Sequence, residues 1–167
     1  MFNVRKLVLL ALFAASALAL QVSLAFLPNV ELVTLWFLLL ACILTFKESL
    51  VVVFVFSTLE ALVWGFGDWV IAYLWIWALW VVLVQAFKPL IKDNSHGWAL
   101  LGAFYGFAFG FLFSIQHALM YGLDMGIVYW LRGISFDIVH AFSNYSLILI
   151  LYKPLSKLLS SLLRKWE

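Results

Sequence analysis

The sequence predicts an all-α membrane protein of six transmembrane helices, with both termini on the cytoplasmic side. Three observations carry that prediction. Of the 167 residues, 67% are hydrophobic and 11% charged, and the mean hydropathy is +1.13; a soluble domain of this length could not hide so much apolar surface. The apolar residues gather into six runs, most of them approaching the ~20 residues that cross a hydrocarbon core of roughly 30 Å. Nine of the ten basic residues then fall on one side of the resulting topology.

The first run, about 7–27, follows Arg5 and Lys6. With Ala17-Leu18-Ala19 at its end it has the outline of a secretory signal. Yet Ala11, Ala15 and Ala19 stand four apart on one helical face, a small-residue stripe that lets another helix approach closely. Such a stripe has a use only if the helix stays, so retention is expected. LPNVE ends this run. The second and third, about 32–46 and 49–64, are short enough to thin the bilayer locally and are parted only by FKES. GFGDW leads into the fourth, about 69–87, and FKPLIKDNSHG into the fifth, about 98–119. The fifth carries Gly102, Gly106 and Gly110, read as packing inside the bundle. YGLDMG precedes the sixth, about 133–152. The tail, 153–167, reads as a short amphipathic helix on the inner leaflet, with Leu155, Leu158, Leu159, Leu162 and Leu163 on one face and basic residues beside them.

Charge orients the helices. Arg5, Lys6, Lys47, Lys88, Lys92, Lys153, Lys157, Arg164 and Lys165 share one side, which the positive-inside rule makes cytoplasmic. Only Arg132 is left on the other. Glu31, Glu60, Asp68, Asp124 and Asp137 lie at or toward that outer side.

Several classes of function find no support. Cys42 is the single cysteine, so neither an intramolecular disulfide nor a cysteine-based metal cluster can form. The nucleophile, metalloprotease, phosphate-loop and dithiol motifs of enzymes are absent. Asp137, His140 and Glu60 lack the spacing of a metal site. No basic, soluble surface suits nucleic acid. A non-enzymatic protein without cofactor or metal is expected.

Polarity intrudes where function is to be sought. In GISFDIVHAFSNY, Asp137, His140 and Asn144 are spaced three and then four residues apart, on one helical face, with Arg132 little more than a turn before them. Ionisable groups cost roughly 2.5–3.5 kcal/mol each at the middle of a membrane helix and usually persist because they pair or serve a site. Other residues point to the same outer level: Asn29 and Glu31 in the first outer turn, Glu60 and Trp64 at the end of the third run, Asp68 and Trp69 in GFGDW, Gln116 and His117 closing the fifth, and Trp130. Jointly they describe a polar, aromatic-walled pocket open to the outside, suited to a flat, neutral or cationic ligand. The alternative is structural: Arg132 pairs with Asp137, the other polar groups tie the last helix to its neighbours, and the tryptophans form an interfacial belt.

The alanine stripe Ala11/Ala15/Ala19, the turn LPNVELVT at 27–34, the segment GISFDIVHAFSN and the following YKPL at 152–155 resemble the S component of an energy-coupling factor (ECF) vitamin transporter, over the whole chain. The resemblance implies a six-helix bundle in a bacterial plasma membrane that captures a small nutrient from outside. It also implies a transmembrane coupling subunit and two cytoplasmic ATPases as partners, with toppling in the membrane to release substrate inward. Ala11, Ala15 and Ala19 would meet the coupling subunit, and the outer loops and later helices would line the pocket. Two other readings share the size and hydropathy: a structural membrane protein resembling the rod-shape factor MreD, and a tryptophan-rich sensory protein of the translocator-protein family, which would have five helices.

Overall fold

Six helices follow one another with short connections: α1 (Val4–Leu24), α2 (Val33–Ile43), α3 (Phe46–Trp64), α4 (Asp68–Ile91), α5 (Ser95–Tyr121) and α6 (Leu123–Leu163). The structure is a computed structural model describing residues 3–164, and among these there is no strand. Four helices, α1, α4, α5 and α6, are long and apolar enough to cross a membrane.

Local chemistry explains where the helices depart from the six apolar runs. α2 is only 11 residues, about 16 Å at 1.5 Å per residue. It stops early because Thr45 and Glu48 form a capping box that starts α3: Thr45 N–H donates to Glu48 Oε2 (2.9 Å) and Glu48 N–H to Thr45 Oγ1 (3.4 Å). α3 therefore begins at Phe46 and takes in Lys47 and Glu48. Glu48 also pairs with Lys6 of α1 at 2.9 Å.

α6 departs most. It begins ten residues before the predicted start and runs unbroken through Pro154, 41 residues or about 60 Å in all. Arg132 and Trp130 thus lie within the helix rather than ahead of it. The expected amphipathic tail is the final part of α6. Its leucines divide: Leu159 is buried and Leu155 and Leu163 pack against the core, while Leu158 and Leu162 are exposed. Lys165, the last basic residue of that tail, lies outside the described residues.

The interior is aromatic. Trp77, Trp80, Trp98, Tyr105, Phe37 and Phe56 are fully buried. Phe37 meets Phe56 and Trp77 edge-on, with ring centroids 5.3 and 5.2 Å apart, the arrangement that ring quadrupoles favour. The polar tips of such rings need partners. Trp80 Nε1 donates to the Thr34 carbonyl (3.0 Å) and Tyr105 OH to the Ile76 carbonyl (2.9 Å), tying α4 to α2 and α5 to α4. Outside, large apolar side chains such as Phe54, Ile71, Phe104, Leu131 and Phe142 are more than half exposed, as a lipid-facing surface requires.

Candidate functional site

One residue, Gly122 (φ 96°), joins α5 to α6. The two helices therefore pack back to back, and glycines bring their axes close. A Cβ on Gly106 would lie 2.9 Å from Asn144 Nδ2 and 3.0 Å from the His140 carbonyl oxygen; one on Gly110 would lie 2.6 Å from Asp137 Oδ1. The polar strip of α6 faces the glycine stripe of α5. That burial is deep: Asp137, His140 and Asn144 retain 6%, 4% and 1% of their exposure.

Each of the three polar groups binds differently. Gly110 N–H donates to Asp137 Oδ1 (3.0 Å). Asn144 Nδ2 donates to the Gly102 carbonyl (3.4 Å), a bond wholly inside the seam. His140 Nε2 lies 3.1 Å from Glu31 Oε1, and so holds the α1–α2 connection against α6. The other Glu31 oxygen accepts the Thr34 N–H (2.9 Å), capping the start of α2. Burial pushes the Glu31 carboxyl up. The hydrogen bond from His140, the charge that residue can carry and the bonds to Thr34 outweigh it, holding the group below the usual glutamate range.

Beside this seam lies a cavity of about 620 Å³, walled by the α1–α2 connection, α4, α5 and α6. Phe109, Phe113 and His117 line it from α5, and Tyr129, Arg132 and Asp137 from α6. His117 stacks on Tyr129 with centroids 4.0 Å apart and planes 26° from parallel, and Phe113 stacks on the same tyrosine at 6.3 Å. A second cavity of about 220 Å³ is lined by Glu31, His140 and Trp77. The two adjoin, since Pro28, Asn29, Tyr73 and Phe109 line both. Asn29, at φ 57°, makes the sharp turn that brings the connection over them.

Asp137, which lines the larger cavity, and Trp77, which lines the smaller, each carry one buried polar atom with no partner among the described residues, Oδ2 and Nε1 respectively. Leaving such an atom unpaired costs about 1–3 kcal/mol. The first is an acceptor and the second a donor.

The twelve residues singled out for binding separate into two groups. Asn29, Glu31, His117, Arg132, Asp137 and His140 line one cavity or the other. Glu60, Trp64, Asp68, Trp69, Trp130 and Asn144 line neither. Glu60 is 2% exposed inside the bundle, with Oε1 unpartnered. Asp68 fastens α4 to α5: Tyr121 OH donates to its Oδ2 (2.9 Å), and Gln116 Nε2 donates to its carbonyl. Trp69 packs edge-on against Tyr73, Trp130 against Phe111, and Trp64 is exposed. The alternative Arg132–Asp137 ion pair is not formed. Among the described residues the ion pairs are Lys6–Glu48 and His140–Glu31, and no three potential ligands gather as a metal site.

Sequence reasoning missed Tyr73, Trp77, Phe109, Phe113 and Tyr129. A signal existed for three of the walls, because Phe109, Phe113 and His117 recur every four residues on α5 and share a face. Elsewhere, Ala11, Ala15 and Ala19 are all exposed, since α1 buries a different face through Leu10, Phe13, Ala14 and Ala17. No known protein family, no characterised protein and no solved structure matches the chain.

Proposed function

We propose that this chain is the substrate-capture subunit of an ECF-type importer. In this reading it binds a small, flat, vitamin-like nutrient, neutral or cationic, in the paired cavities and delivers it inward. It crosses a bacterial plasma membrane six times with both termini cytoplasmic. Its energy comes from a transmembrane coupling subunit with two ATPases, docked on the exposed stripe Ala11/Ala15/Ala19.

The observation that carries the reading is the aromatic cavity of about 620 Å³, with Arg132 and Asp137 among the residues that line it. Sites for small molecules are of this size, mostly apolar, with a few convergent polar groups. A bundle needing only cohesion would gain from filling the space with side chains. The nearby Arg132, without a carboxylate partner among the described residues, gives the wall a second polar handle.

Native mass spectrometry of protein purified from rich medium tests this, because it reads the mass of a bound nutrient directly. Tryptophan fluorescence should change on binding, since Trp77 lines the smaller cavity. Asp137→Asn should weaken binding by ~1–3 kcal/mol while the melting temperature of the empty protein changes little. Empty protein in repeated preparations, with no response to a panel of vitamins and nucleobases, would leave the capture reading without a ligand and return the chain to a structural role.

A further inference from the structure

The opposite end of the bundle holds a second polar recess that the capture reading does not use. An open groove of about 680 Å³ runs between the C-terminal ends of α2 and α4 and the last part of α6. Lys88, in the last turn of α4, and Lys92, just past its end, form one side; Tyr152, Ser156 and Ser160, successive turns of α6, form the other. Lys88 Nζ donates to the Cys42 carbonyl (2.6 Å) and Gln85 Nε2 to the Ala41 carbonyl (2.6 Å), so both side chains are held at the end of α2. The Lys92 ammonium group has no hydrogen-bonding or ionic partner among the described residues.

The serines sharpen the chemistry. Ser16, Ser23, Thr58 and Ser161 return their hydroxyl protons to carbonyls three or four residues earlier in their own helices. Neither Ser156 nor Ser160 does so among the described residues, which leaves two donors facing the groove. Two ammonium groups and two hydroxyls make a donor-rich recess for an anion with several acceptor oxygens. Asp93, following Lys92, is the one acid beside it in the chain, while Lys153 and Lys157 stand exposed on the adjoining face of α6. The groove also has apolar lining, from Ile43 at the end of α2 and Pro89 of α4.

We infer that this groove holds the phosphodiester headgroup of an anionic phospholipid, with the acyl chains leaving along Ile43 and Pro89. Basic pockets between helices at the cytoplasmic face suit such headgroups. A free phosphate would find the same donors, but it would not use the apolar flank, and so the lipid is the occupant the surface favours.

Full-chain protein reconstituted in vesicles of equal parts phosphatidylglycerol and phosphatidylcholine, then released for native mass spectrometry, tests the assignment. Phosphatidylglycerol should be retained selectively, and Lys92→Glu should lower that retention about tenfold. Lys153→Glu, the same charge change outside the groove, should leave it unchanged. The paired change Ser156→Leu and Ser160→Leu, which fills the groove without altering charge, should also lower it and covers the case in which Lys92→Glu does not fold. Equal retention of both lipids, or equal losses from Lys92→Glu and Lys153→Glu, would overturn the proposal in favour of general surface charge. Displacement of the lipid by millimolar inorganic phosphate would overturn it in favour of a soluble-anion site.

Discussion

α5 carries Gly102, Gly106 and Gly110, and α1 carries Ala11, Ala15 and Ala19; both sets recur every four residues and draw a line of small side chains along one helical face. The glycine line is consumed inside the molecule, where α6 lays Asp137, His140, Asn144 and Ile148 against it. The alanine line is exposed, on a face of α1 other than the one that carries its buried residues. The difference lies in the partner face. α6 offers side chains whose polar atoms need backbone groups, and only glycine lets Asp137 reach the Gly110 N–H and Asn144 the Gly102 carbonyl. α1 has no such facing helix in the bundle. Equal spacing therefore reports that a helix can approach closely, and the complementary face decides which one does.

The strongest way to break this comparison is to add a methyl group to the seam. At Gly126 a Cβ would lie 2.7 Å from the Ser114 carbonyl oxygen and 3.0 Å from the Ala118 Cα, backbone that cannot step aside. Gly126→Ala should cost ~1–3 kcal/mol, and Gly106→Ala, which meets the His140 carbonyl, a similar amount. Gly102→Ala meets only the tip of the Ile148 side chain, which can turn away, and should cost less. Melting temperatures of the three variants in one detergent give the order. If all three match the wild type, the seam is looser than its contacts imply.

A smaller effect separates the seam from the loop it holds. Glu31 contributes its bonds to His140 and Thr34 as a carboxylate whose pKa is held below the ordinary range. Its contribution is therefore complete above the unfolded glutamate value of roughly 4.3 and is lost as pH falls through the lower folded value. Acidification into that window should destabilise wild-type protein more than Glu31→Gln, measured as the difference in melting temperature between pH 6 and the acid limit. Parallel slopes for the two proteins would show that the pair carries no pH-dependent stability.

The smallest expected change in stability belongs to α1. Ala15→Leu adds bulk to an exposed face and should alter stability by no more than ~0.5 kcal/mol. It should nonetheless abolish co-purification with coupling and ATPase subunits, while ligand binding to the solitary chain persists. An unchanged yield of the complex would detach the stripe from any partner.

The polar strip shows how far sequence reading extends. The spacing of Asp137, His140 and Asn144 correctly placed them on one helical face, but it could not say that Asn144 would be closed inside the seam while Asp137 also lines a cavity. Asp68 and Glu60 looked equally eligible for the pocket. Their different surroundings, a fastening to Tyr121 and Gln116 for one and deep burial for the other, depend on residues far away in the chain. The capping box at Thr45 was readable, because T-x-x-E is a local signal, and attending to it would have shortened α2.

What the sequence by itself determined is the set of properties that depend on neighbours within a few turns: helical periodicity, apolar length, the charge bias of the connections and the faces on which small or polar residues align. Hydrophobic transfer and helical geometry act on these without knowledge of the rest of the chain. Tertiary structure alone decided which face met which. α6 packs along α5 through the glycine stripe, and its last part continues past the start of α5 to meet the end of α2. The cavities arise because rings from α4, α5 and α6 leave a gap that the turn at Asn29 brings the α1–α2 connection to cover. A cavity is the space that packing between distant segments fails to fill, so no stretch of sequence contains it.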